Sequence, residues 1–171
     1  SVATTLNPDA DRVYADKRPL VTPFRFDESV ARVFTNMISR SVPGYETTLQ
    51  LINSIAALHA QPGTCCYDLG CSLGAATIAL ANAVPESCRI IGVDNSRAMI
   101  ERCSSNIDEF QKLTDAPAAA IHIIEGDLSN IRFEPASIIV MNYTLQFIPS
   151  EHRAALIAKL ADALIDGGCL I

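Results

Sequence analysis

Four apolar runs of strand length, "CCYDL", "CRIIGVD", "AIHIIEGD" and "ASIIVMN", alternate with helical patterns from Cys65 onward. Between them lie the Ala-rich "GAATIALANAV" and then "SRAMIERCSSNIDEF", which opens at Ser96 as a helix N-cap. "PSEHRAALIAKLADALI" follows, with Pro149 at or before its first turn. "GGCLI" reads as a glycine stop followed by the start of a fifth strand. Strands alternating with helices, and apolar on both faces, form a parallel sheet covered on both sides. The expected fold is α/β, a Rossmann-like sandwich.

Upstream the pattern differs. Residues 1–24 show no periodicity, and Pro8, Pro19 and Pro23 punctuate them as an irregular arm. In "FDESVARVFTNMI" the residues Val30, Val33, Phe34, Met37 and Ile38 fall at helical spacing. "SVPGY" breaks that helix, and a second runs to about Leu58 with Leu49, Ile52, Ile55 and Ala56 on one face. The expected organisation is one domain overall. Residues 1–62 form an N-terminal arm and helical cap, and residues 63–171 the Rossmann-like core. The last strand stops at Ile171 soon after it starts, so the sheet is expected to continue in a C-terminal part beyond this chain.

Bulk properties exclude several classes. A length of 171 residues suits one core. No apolar run reaches the roughly 20 residues of a membrane span, and the N-terminus lacks a signal pattern. The net charge of −6 disfavours direct nucleic-acid binding. The six cysteines form no C-x-x-C pair and lack a His at metal spacing, so they read as buried small hydrophobes in a reducing cytosol. His59, His122 and His152 are scattered and read as surface or boundary residues rather than catalysts. Met37 and Met99 read as core, and Glu101 with Arg102 as solvated. No metal site is expected.

In a parallel sheet, ligands bind outside the carboxyl ends of the strands. The residues that follow each strand are Asp68, Gly70, Cys71, Ser72 and Gly74; Asp94 and Asn95; Gly126, Asp127 and Leu128; and Asn142 and Tyr143. Asp94 stands about 20 residues beyond the glycine turn, where a carboxylate accepts from both hydroxyls of a ribose. Asp127 and the Leu128 backbone suit the edge of an adenine. The ligand is therefore an adenosine derivative. A dinucleotide needs G-x-G-x-x-G, whereas Ser72 replaces the second glycine here and Gly74 comes four residues after Gly70. The D-x-G-x-x-x-G spacing fits S-adenosylmethionine better. Asn142 suits the ligand's carboxylate or a reacting substrate, or simply a strand-terminal turn. "NYTLQF" would wall the pocket.

The stretches "FDESVARVFTNMI", "SVPGY", "YDLGCSLGAAT", "VDNSRAMIERC", "EGD" and "MNYTLQFI" together resemble, in order and spacing, the bacterial carboxy-S-adenosylmethionine synthase family of the class I methyltransferase-like superfamily. The resemblance runs from about Phe26 to the end, and "SVPGY" with "DLGCSLGAAT" is its most specific part. It implies conversion of S-adenosylmethionine and prephenate to carboxy-S-adenosylmethionine and phenylpyruvate. The product would pass to a partner enzyme that carboxymethylates a tRNA wobble uridine. It also implies a cytoplasmic homodimer. By this resemblance Tyr45 covers the ligand, and Gly70, Cys71 and Ser72 line its methionine and ribose part. Asp94 and Asn95 hold the ribose and flank the adenine, Asp127 and Leu128 read the adenine, and Asn142 lies near the sulfonium. A sulfonium acidifies its attached methyl group, and loss of the ring carboxylate aromatises prephenate. A water-excluding pocket would let the released carbon dioxide be captured. No side chain is assigned as general base. The arginine that pairs with the added carboxylate in this family has no counterpart here. The other readings of the residues are a conventional S-adenosylmethionine-dependent methyltransferase and a non-catalytic module that binds the same ligand.

Overall fold

A computed structural model of the chain describes Thr35, Met37 and residues 43–114 and 117–171. The expected arm over residues 1–24, and all of the first helix except Thr35 and Met37, lie outside the described residues. The elements in chain order are α1 (Tyr45–His59), β1 (Cys65–Leu69), α2 (Ala75–Ala81), β2 (Arg89–Asp94), α3 (Arg97–Leu113), β3 (Ala120–Glu125), β4 (Ala136–Val140) and, after a 3-10 turn (Leu145–Phe147), α4 (Ser150–Ala163) and β5 (Leu164–Leu170). The five strands form one sheet in the order β3-β2-β1-β4-β5. Every pairing is parallel.

The order reverses between β1 and β4. Chain crossovers leave β1 in opposite directions around the sheet, which opens a crevice at the carboxyl ends of β1 and β4. β1 and β4 are buried along their whole length. Alternate residues divide between two cores. Cys66, Ile90, Ile138 and Val140 face Leu49, Ile52 and Ala56 of α1, the alanines of α2, and Cys103, Ile107 and Phe110 of α3. Met37 joins this core. Cys65, Tyr67, Leu69, Val93 and Ile139 face Leu156 and Leu160 of α4. Helix α2 is buried on every side, which its small side chains permit because they let α1 and the sheet approach together.

Local chemistry sets the boundaries. Ser96 caps α3 by accepting from the Met99 N–H at 3.3 Å. Asn53 stands among the apolar residues of α1 and is buried; its amide donates to the Ala79 carbonyl at 2.9 Å and ties α1 to α2. Ile55, expected on the buried face, is only half-buried.

Two expectations need correction. β3 is not covered on both faces: Ile121 and Ile123 pack on the α1–α3 core, while His122 and Ile124 are exposed. As an edge strand it has one helical layer against it among the described residues. The fifth strand also begins at Leu164, before Gly167 and Gly168 rather than after them. The pairing shifts register between Ala136 and Ile138, and Gly167 sits at φ +79°. The glycine pair forms a bulge inside the strand and does not stop the helix.

Candidate functional site

β1 ends at the glycine turn, and that turn is fastened to β2. The N–H groups of Gly70 and Cys71 both donate to the Val93 carbonyl, at 2.7 and 2.9 Å. Gly70 has φ +77°, and an added Cβ would strike the Thr144 hydroxyl, so only glycine fits. Ser72 takes φ +49° without being glycine. Its N–H donates to Asp94 Oδ2 at 3.0 Å, while Asp94 Oδ1 accepts from the Ser96 N–H at 3.0 Å. Asp94 is thus held at the carboxyl end of β2 by a donor on each oxygen, and each oxygen keeps a lone pair for a further donor. The first crevice wall therefore carries a fixed acceptor beside a turn cleared of side chains.

Asp68 is the penultimate residue of β1 and is almost fully buried. Its Oδ2 accepts from the Thr77 hydroxyl at 2.7 Å. Burial pushes its carboxyl up to about 6; the Thr77 hydrogen bonds oppose this and nearby Asp94 adds to it. A buried carboxylate at this point favours a positively charged neighbour.

On the other side of the crevice, β4 runs into Asn142, Tyr143 and Thr144. Asn142 is half-buried at the strand end. Tyr143 has φ +54°, the second non-glycine residue in the left-handed region among the described residues. Thr144 Oγ1 lies 2.9 Å from the Leu69 carbonyl and 3.0 Å from that of Asn142, bridging the two strand ends. Tyr45, the first residue of α1, comes over the same point: its ring centroid is 6.3 Å from that of Tyr143, with the planes tilted by 44°. Burial chiefly, then the charges of Asp68 and Tyr143, pushes the Tyr45 phenol well up, so it stays neutral.

The far end is looser. Asn95 and Asp127 are exposed. Asp127 Oδ1 accepts from the Ser129 N–H and hydroxyl, at 2.9 and 2.6 Å, and these bonds lower its carboxyl. The Gly126 N–H donates to the Asp94 carbonyl at 2.9 Å, keeping this turn beside β2.

The crevice ends of β1, β2, β3 and β4 carry all nine residues singled out from the sequence except Tyr45, which the start of α1 supplies. Two of them contribute differently than their names imply. The Cys71 side chain belongs to the core, where its hydrogen bond to Cys103 and then burial push its thiol up. The Leu128 side chain is buried with Leu69 and Val93. Neither side chain is therefore free to line the crevice. Met99, expected in the core, is half-buried with its sulfur 3.9 Å from the Ser72 hydroxyl. Sequence reasoning takes Thr144 only as one residue of the pocket-walling "NYTLQF", and its tie to Leu69, 75 residues away in the chain, has no sequence signal. Among the described residues no group of three His, Cys, Asp or Glu side chains gathers as a metal site would require, and no helix is long and apolar enough to cross a membrane.

This sheet order, with a glycine turn after β1 and a locked acid after β2, defines a Rossmann-like fold of the class I S-adenosylmethionine methyltransferase type. The methyltransferase-domain family matches residues 67–168. Solved structures agree in fold: the SAH-bound Podospora anserina methyltransferase superposes with TM-score 0.61 at 14% identity, covering 85% of this chain and 61% of that one. An S-adenosylmethionine-dependent methyltransferase from Clostridium acetobutylicum superposes with TM-score 0.57 at 16% identity, covering 82% and 54%. Curated relatives are much nearer in sequence. A protein of Pseudomonas syringae pv. tomato named carboxy-S-adenosyl-L-methionine synthase is 44% identical over 97% of this chain and 67% of its own length. One of the same name from a Shewanella species is 43% identical over the same shares. The chain belongs to the carboxy-S-adenosyl-L-methionine synthase family.

Proposed function

We propose that the crevice binds S-adenosylmethionine and that the protein makes carboxy-S-adenosylmethionine from it. Prephenate is the carboxyl donor and phenylpyruvate the second product. The observation that carries the ligand is Asp94, held by the Ser72 and Ser96 N–H groups with lone pairs left for a ribose diol. Kinship with the named synthases supports the carboxylated product. The sulfonium supplies an acidified methyl group; the protein supplies position and a dry crevice. In this reading Tyr45 covers the ligand. The backbone of Gly70, Cys71 and Ser72 lies along its amino-acid and ribose part. Asp94 and Asn95 hold the ribose, Asp127 and the Leu128 backbone meet the adenine edge, and Asn142 stands beside the reacting substituent. Buried Asp68 faces the cationic end. None of these groups has to take a proton: the ring hydroxyl that prephenate loses as it decarboxylates and aromatises leaves with the methyl proton as water, and the resulting ylide carbon bonds the released carbon dioxide, so catalysis rests on orientation and on exclusion of bulk water. The product then serves a separate enzyme that carboxymethylates a tRNA wobble uridine. The acidic net charge of this chain gives it no grip on tRNA itself. Helix α1 acts as a cap on the core, and two copies associate in the cytoplasm.

Mass spectrometry of the small molecule released from the purified protein tests this. S-adenosylmethionine carrying one added carbon dioxide is the expected species. Unmodified S-adenosylmethionine that stays unchanged after prephenate is added would sink the synthase reading and leave a methyltransferase.

A further inference from the structure

Tyr143 and Thr144 are not absorbed by the roles above, yet both carry unusual constraint. A tyrosine at φ +54° is held against its own backbone preference. What holds it is the next residue. Thr144 Oγ1 bridges the Leu69 and Asn142 carbonyls, and the same hydroxyl fills the space beside Gly70 that a Cβ would need. The turn after β4 is thereby locked onto the glycine turn after β1. The lock turns the Tyr143 ring toward Tyr45, at 6.3 Å and 44°, although Tyr143 remains 49% exposed. A strained backbone that leaves a large ring half in solvent gains little from packing. It does place a second π face beside Tyr45, above the end of the strand that carries buried Asp68.

Two tilted aromatic faces next to a buried carboxylate are suited to a cation with no hydrogen-bond donors, because such a cation is held by ring quadrupoles and charge alone. A sulfonium is that kind of cation. Resting on the reading of the crevice as an S-adenosylmethionine site, we propose that Tyr143 is a specificity-determining residue that, with Tyr45, recognises the sulfonium charge, and that Thr144 positions it. The ring pair discriminates the charged sulfonium from the neutral thioether of S-adenosylhomocysteine, which is otherwise alike in shape and polar groups.

Calorimetric titration of both ligands tests the assignment. Tyr143→Leu is expected to weaken S-adenosylmethionine roughly tenfold while shifting S-adenosylhomocysteine by less than about twofold. Tyr143→Phe, which keeps the ring, restores the preference. Thr144→Val repeats the selective loss in weaker form, and Thr144→Ser reverses it. Equal weakening of both ligands by Tyr143→Leu would mark a structural role only and overturn the proposal, as would unchanged binding of both. Retained S-adenosylhomocysteine binding also shows that each variant is folded. If the unsubstituted protein binds neither ligand, the reading of the crevice falls first and this inference with it.

Discussion

The two ends of the crevice are built in different ways. At the β1–β4 end several groups are fastened to something distant in the chain: Gly70 against Thr144, Ser72 on Asp94, Thr144 on Leu69, Tyr45 against Tyr143. At the β3 end Asp127 is held by Ser129, two residues on, and Lys159 from α4 donates to the Ser129 carbonyl at 3.3 Å. The first end is interlocked through the half-buried Thr144 contacts, whereas at the second the Asp127 carboxylate rests on its own turn and the tie from Lys159 is solvent-exposed. Position is therefore most demanding where the sulfur of the proposed ligand sits and least where its base sits.

Substitution at Gly70 puts most at stake. Gly70→Ala places a Cβ against the Thr144 hydroxyl and keeps a left-handed φ, so a loss of about 3–5 kcal/mol is expected. Denaturant unfolding measures it as a lower midpoint at unchanged slope. Adding Thr144→Ala relieves the collision and not the φ strain. Recovery of part of the loss confirms the interlock; no recovery breaks the contrast between the two ends.

Asp68 gives the next effect, through pH. Its folded carboxyl titrates at about 6 against an ordinary 3.8, so the native state holds the proton more tightly than the unfolded chain. The stabilisation this brings is complete below the ordinary value, disappears as pH rises to about 6, and stays absent above it. It amounts to up to about 3 kcal/mol. Asp68→Asn cannot ionise and still accepts from Thr77. The variant should therefore gain stability relative to the natural protein as pH rises from 4 to 7. A difference independent of pH would mean that Asp68 is not held as the structure shows.

Smaller effects follow in binding. Asp94→Asn is expected to weaken S-adenosylmethionine roughly 10- to 100-fold in a titration, the worth of charge-assisted hydrogen bonds to the ribose. Asp127→Ala is expected to weaken it less than roughly tenfold, since an exposed carboxylate competes with water for its partner. If Asp127 proves the more costly of the two, the β3 end is the better organised and the comparison inverts.

The same contrast governs what could be read without coordinates. β1 and β4 are legible because fully buried strands leave continuous apolar runs, β2 because its interior is an apolar run between two charged ends, and α3 because Ser96 is a local cap. Asp94 and Asn142 are legible because a strand's end places them at the crevice. The side chains of Cys71 and Leu128 are not, because a one-residue difference in which face a turn residue takes has no periodic signature. Thr144 is invisible for another reason: its meaning lies in a partner 75 residues away. The β5 bulge was hidden because a Gly-Gly pair serves equally as a helix stop, and only contact with neighbouring backbone distinguishes the two uses. A Cβ at Gly168 would lie 2.9 Å from the Ile165 carbonyl and 3.2 Å from that of Ala136.

The order of strands also sets an order in time. Pairing β1 with β2 closes a short loop around α2, whereas pairing Cys65 with Ala136 must gather roughly 70 residues at a higher entropic cost. The half of the sheet that bears the glycine turn and Asp94 is thus expected to condense first, with β4 docking afterwards. Pulse-labelled hydrogen exchange would then show β1 and β2 amides protected before those of β4. The interlock between Gly70 and Thr144 would close last, so the crevice comes into being only at the final step of folding.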